Sequence, residues 1–160
     1  MATLMRRTLK FDSFPAVIAD AETLLRGGYD TTGKWDLAQV AGHLAAWLSF
    51  GMDGFPKAPL PVRMILWALR NTVAKGQLRK VLATKTFPPG GPTVKESVPA
   101  EGGDEAAAVE TLRAAYARAE AFTGELVPSP VFGRLTRDEW VSLNLVHAAH
   151  HLSFLTPKSS

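Results

Sequence analysis

Thr136-Arg137-Asp138-Glu139-Trp140-Val141-Ser142-Leu143-Asn144-Leu145-Val146-His147-Ala148-Ala149-His150-His151-Leu152-Ser153-Phe154-Leu155 is a proline-free run with a helix start written at its head. Thr136 followed three residues later by Glu139 is a capping-box pattern, in which each side chain accepts from the other residue's backbone N–H. Apolar residues then recur at intervals of three and four until Pro157 forces a stop. The spacing predicts a helix to about Leu155. At 100° per residue, Asp138, Ser142, Ala149 and Ser153 fall on one arc, read as the solvent side. His147 and His151 straddle the opposite direction beside Trp140, Leu143 and Phe154, and His150 lies about a quarter turn away.

The same signs recur toward the N-terminus. Prolines cluster at 56/59/61, 88/89/92/99 and 128/130, and the stretches between them are rich in Ala and Leu. Proline lacks a donor and clashes inside a helix, so the clusters mark connections. Ser13 before Phe14-Pro15 opens a first helix that Gly27-Gly28 closes. Asp36 with Gln39 is a second capping box, opening a helix to about Asp53. A third stretch runs from Val62 or Arg63 to about Leu82, with Gly76 its weak point. Asp104 caps an Ala-rich helix ending near Gly124. The loop from Ala83 to Gly103 has no periodicity, and Pro88-Pro89-Gly90-Gly91-Pro92 lacks the lysine and following helix of a phosphate loop. The expected fold is all-α: four core helices and one extra helix in a long crossover, a recognised four-helix-bundle plan.

At 160 residues the chain fits a single domain, 1–160, and its 46% hydrophobic and 21% charged residues are ordinary for a globular protein. It contains no cysteine, which excludes disulfides, thiolate metal sites and a cysteine nucleophile. There is no apolar segment of a length that spans a bilayer and no secretory signal, so a cytoplasmic protein is expected.

Charge is unevenly spread. Between Asp53 and Glu96 stand Lys57, Arg63, Arg70, Lys75, Arg79, Lys80, Lys85 and Lys95 without one acid, and acids dominate from Glu96 to Glu125. The basic stretch with its run Val62–Leu69 reads as a solvated helix facing the acidic one, or as a homodimer contact through Met64, Ile65 and Trp67. A membrane-surface contact is the less favoured alternative. A net charge of +3 does not point to nucleic acid.

His43, His147, His150 and His151 are the chain's four histidines. Two imidazoles at i and i+4 can converge on one cation. His147 and His150, at i and i+3, could also chelate; otherwise His150 is a rim residue. A third ligand would have to come from His43, which sits on the flank of its helix's apolar face with Val40, Trp47 and Phe50, a direction the helical wheel leaves open. The bland alternative is a hydrogen-bonded histidine pair in the core. No glutamate follows His147, so a zincin protease is unsupported, and no G-x-S-x-G elbow is present. Trp47 and Trp140 read as core residues that could also border a substrate, and Trp35 as a staple before the Asp36 cap.

Trp35-Asp36-Leu37-Ala38-Gln39 followed by His43-Leu44 resembles the second-helix motif of the DinB/YfiT-like superfamily. Phe132-Gly133, Leu135-Thr136, Glu139-Trp140 and His147-x-x-His150-His151-Leu152 resemble the closing segment of one of its branches, and Leu9-Lys10-Phe11 is compatible with its first helix. The resemblance covers nearly the whole chain, least well at 55–103. It implies an up-down-down-up four-helix bundle with a metal triad carried over onto His43, His147 and His151. It also implies relatives that include metal-dependent transferases using low-molecular-weight thiols and a maleylpyruvate isomerase.

The expectation is therefore a metal-dependent enzyme with a three-histidine site for zinc, nickel, iron or manganese. A thiol S-transferase is preferred to a hydrolase, His150 is the nearest candidate for a general base, and Trp47 and Trp140 border the small-molecule substrate. The alternative is a non-catalytic bundle that binds a ligand or partner.

Overall fold

The computed structural model describes residues 5–88 and 94–158. Among these are six α-helices: α1 (Phe14–Gly27), α2 (Leu37–Asp53), α3 (Leu60–Thr72), α4 (Ala74–Thr84), α5 (Glu105–Ala121) and α6 (Arg137–Leu152). Two three-residue strands, β1 (Tyr29–Thr31) and β2 (Leu155–Pro157), pair antiparallel with Tyr29 opposite Pro157 and Thr31 opposite Leu155. The all-α reading holds.

The caps form as the sequence spells them. Asp36 Oδ1 accepts from Gln39 N at 2.7 Å while Gln39 Oε1 accepts from Asp36 N at 3.2 Å. Thr136 and Glu139 exchange the equivalent bonds at 3.1 and 2.8 Å. Each such cap contributes about 1 kcal/mol by satisfying donors that a helix start otherwise leaves open. Asp36 does a second job: its Oδ2 accepts from Gly102 N at 2.9 Å and fastens the long loop to the start of α2.

Contacts run from α1 to α5, α5 to α2, α2 to α6 and α6 back to α1, closing a ring of four helices. The core fills its centre. Val17, Leu24, Leu37, Leu48, Leu112 and Leu152 are fully buried, and the Phe14 and Tyr116 rings stack at 4.3 Å. Each buried leucine contributes about 1.5–3 kcal/mol, so this interior outweighs any single polar contact in holding α2 against α6.

Three expectations need correction. The extra helical stretch is two helices, and the break falls at Val73 rather than Gly76. Val73, between the two, has φ −105° and ψ −17°, and its N–H still donates to Leu69 O. The last helix stops at Leu152, because Leu155 turns into the core and pairs with β1. Finally, Ala149 and Ser153 are buried rather than on a solvent arc. α6 packs against α1, α2 and α4, and the N-terminal segment lies along its end: Arg6 Nε donates to Ser153 Oγ at 2.6 Å and Arg7 N to Ser153 O at 2.9 Å.

The basic stretch is solvated as expected, but its main packing partner is not the acidic helix. α3 packs on α4, and α4 on α6. The acidic α5 is instead tied to α1 and α2, through Arg113–Glu22 and Arg118–Asp53. No helix among the described residues is long and apolar enough to cross a membrane. Most of the Pro88–Pro92 segment lies outside the described residues.

Candidate metal centre

The capping box sets the rotational phase of α2, and the leucines on that helix's buried face hold it against α6. Close approach of the two helices needs Gly51: a Cβ there would lie 2.4 Å from Trp140 Nε1. His43 of α2 is thereby turned inward and is 1% exposed, while His147 and His151 reach it from α6 half-buried. This settles the direction that the helical wheel left open.

The three rings form a near-threefold propeller. Their centroids are 4.9, 4.7 and 4.7 Å apart and each pair is inclined by 73–74°. His147 Nε2 is 3.1 Å from His43 Nε2 and 3.0 Å from His151 Nε2, and the three ligand atoms all lie within 4.8 Å of one another. Two nitrogens bound tetrahedrally to one zinc stand about 3.3 Å apart, given the usual Zn–N length of about 2.0–2.1 Å. The donor set therefore fits a divalent cation with little movement. Three imidazoles leave coordination positions for other ligands, as at a catalytic site.

Ser97 determines which nitrogen of His43 carries the proton. It sits in a 3₁₀ turn (Lys95–Ser97), and its hydroxyl donates to Val94 O at 2.6 Å. With its proton committed there, Ser97 Oγ accepts from His43 Nδ1–H at 2.9 Å, so His43 Nε2 turns its lone pair toward the other two rings. The turn is clamped onto α2 by Gln39 Nε2 donating to Pro99 O at 3.2 Å and by Gly42, where a Cβ would lie 2.4 Å from Pro99 Cγ.

Aromatic walls surround the cluster. Trp35 stacks on His151 at 5.0 Å and 13°, Trp47 is edge-on to His147 at 5.8 Å, and Phe87 closes over His147 and His150. Burial pushes the His43 pKa down to about 4 and that of His151 to about 3, and holds His147 well below its ordinary value. All three are thus neutral at pH 7, the form that binds a metal.

His150 stands beside the cluster, its ring 4.9 Å from that of His151. Arg6 Nη2 donates to its Nδ1 at 3.0 Å and to its carbonyl at 3.0 Å, and the guanidinium lies 4.1 Å from the centre of the Phe154 ring. Burial and the neighbouring Arg6 charge lower the His150 pKa to about 4. Of the two tryptophans named from sequence, Trp47 borders the histidines and its buried Nε1–H has no hydrogen-bond partner among the described residues. Trp140 lies in the core against Gly51.

A family model described as Protein of unknown function (DUF1569) matches residues 3–158. The chain belongs to the DUF1569 family. No curated protein and no solved structure matches it.

Sequence reasoning missed several parts of this DUF1569 site. Ser97 and Phe87 lie in a loop with no period, Arg6 lies near the N-terminus, and Trp35 stands where a helix staple is expected. For Trp35 a signal existed, since it stands eight residues before His43 at the mouth of the same helix.

Proposed function

We propose that this DUF1569 protein is a metal-dependent enzyme built on a DinB-like, up-down-down-up four-helix bundle. His43, His147 and His151 hold one divalent cation, and the reaction is transfer to or from a low-molecular-weight thiol. The observation that carries the reading is the convergence of three neutral Nε2 atoms at one point between α2 and α6.

A divalent cation held there supplies Lewis acidity and favours the ionised form of a bound water or thiol. The chain's own residues do the rest. Ser97 fixes the ligand-ready tautomer of His43. Trp35, Trp47 and Phe87 exclude water and so strengthen electrostatic interactions inside the site. Arg6 occupies His150 Nδ1, which leaves Nε2 as the proton-bearing edge of that ring, available to donate to an incoming group. The unpartnered Trp47 Nε1–H is a second donor. Since the chain has no cysteine, the thiol arrives with the substrate.

Metal analysis of protein purified without a histidine tag tests the site: near-stoichiometric metal is expected, lost in His147→Ala and kept in His150→Ala. Metal that persists in His147→Ala sinks it. With metal bound, a panel of common thiols against electrophiles should show thiol-dependent turnover. A flat response would favour hydrolysis or simple binding.

A further inference from the structure

We propose that α3 is an interfacial helix that seats the protein on an anionic lipid bilayer. α3 is a 13-residue helix, about 20 Å long, with no buried residue. Leu60, Met64, Ile65 and Trp67 are 65%, 65%, 60% and 63% exposed. Unlike an ordinary surface helix, it is apolar on its solvent side. The less exposed positions are Leu66 and Arg70, one turn apart, and the Arg70 stem lies against Gly133, which marks the side facing the body. Arg63 falls on that same side, seven residues from Arg70, while Met64, Ala68 and Ile65 point away from it and Leu60 and Trp67 stand exposed on one flank.

An apolar face turned outward needs an occupant, and charge selects it. Lys57 precedes the helix, exposed Lys75, Arg79, Lys80 and Lys85 follow it on and after α4, and no acid occurs from 54 to 95. Among the described residues, the protein's ion pairs use other arginines and leave these cations without a carboxylate partner. A second copy docking here would set like charge against like. A nucleic acid would meet apolar side chains where its phosphates need cations. An anionic bilayer satisfies both features: Leu60, Met64, Ile65 and Trp67 enter the headgroup boundary, and the flanking Lys and Arg reach the lipid phosphates. No helix among the described residues is long and apolar enough to cross the bilayer, so the proposed contact is with its surface.

The test is sedimentation of the full-length protein with vesicles of phosphatidylcholine alone or with about 30% phosphatidylserine. Binding is expected only with phosphatidylserine, weakened tenfold or more at about 0.5 M salt. A blue shift of tryptophan emission should accompany binding and vanish in Trp67→Phe. Met64→Glu/Ile65→Glu should reduce binding at least tenfold. Lys75→Glu/Arg79→Glu, placed outside α3, should reduce it by a similar factor, and helical circular dichroism confirms that both variants fold. Equal binding to neutral vesicles, or none to anionic ones, overturns the proposal. So does a concentration-dependent dimer that Met64→Glu/Ile65→Glu dissociates in the absence of lipid binding, because the occupant is then a second copy. Binding to polyglutamate as tight as to vesicles and unaffected by Met64→Glu/Ile65→Glu also overturns it.

Discussion

Ser97 Oγ lies 2.9 Å from His43 Nδ1 and 2.6 Å from Val94 O, so a serine in the long loop governs a histidine at the centre of the helix ring. The second contact consumes the hydroxyl proton, leaving Ser97 as an acceptor. His43 therefore presents Nε2 unprotonated to His147 and His151 without any metal to enforce it. Partners of this kind are typically worth about 10–100-fold in metal affinity. Ser97→Ala is expected to weaken metal binding by that factor, measured by competition with a chromophoric chelator, while the helical spectrum is retained. Unchanged affinity would mean that the serine merely fills space.

Gly42 extends the same argument to the backbone. A Cβ at this position would stand 2.4 Å from Pro99 Cγ, two residues beyond Ser97. Alanine has the better helix propensity by about 0.8–1 kcal/mol, so on a free helix Gly42→Ala would stabilise. Here the loop must give way, and Ser97 moves with it. Gly42→Ala should therefore lower metal affinity toward the Ser97→Ala level and lose the helix-propensity gain in a thermal melt. A variant that is more stable and binds metal normally would show that the loop yields without moving Ser97.

What the sequence revealed and what it hid divide by the range of the interactions involved. Asp36/Gln39 and Thr136/Glu139 were legible because their bonds close within four residues. His147 and His151 were legible as a pair because helix geometry alone places them one turn apart. The inward turn of His43 was not legible, since it depends on packing between α2 and α6 and on Ser97, 54 residues away. β2 is only three residues long, and its partner lies at the other end of the chain, so no local alternation announced it. Ser153 misled for a related reason: a small side chain says nothing about burial when a remote N-terminal segment supplies the cover. The break at Val73 carries no glycine or proline, so no local breaker announced it.

Trp47 and Trp140, paired in the sequence reading as substrate neighbours, should separate on mutation. Trp140 is 4% exposed in the core, so Trp140→Ala is expected to cost about 3–5 kcal/mol of stability. Trp47 is less buried, and its Nε1–H is desolvated without a partner. Trp47→Phe removes that unsatisfied donor as well as some packing, so its net cost should stay below about 1 kcal/mol. If the free N–H serves an incoming ligand, Trp47→Phe should weaken binding of a small anion to the metal-loaded protein by about tenfold. Denaturant melts and anion titrations on the two variants give a two-by-two outcome. Equal effects on stability with none on anion binding would return Trp47 to a purely packing role.

Tyr29 yields a prediction in which pH is the variable. Its hydroxyl donates to Glu105 Oε1 at 2.5 Å and accepts from Leu37 N at 2.8 Å, joining β1 to the first turns of α5 and α2. Burial, followed by the Glu105 hydrogen bond, pushes its pKa up to about 12 from 10.0. Between those values the unfolded chain releases the phenolic proton while the folded protein keeps it. Stability contributed by Tyr29 is thus fully present below pH 10 and is lost as pH rises toward 12. At pH 8, Tyr29→Phe should be less stable by about 1–2 kcal/mol, the usual cost of two hydrogen bonds, one of them to a carboxylate. Across pH 10 to about 12 the gap between wild type and variant should shrink, because only the wild type loses this contribution. Tyr116, whose pKa burial also raises, is present in both proteins and cancels from the difference. Paired thermal melts through this range decide it: a gap that stays constant with pH would show that the phenol is not held in its protonated form by Glu105 and its surroundings.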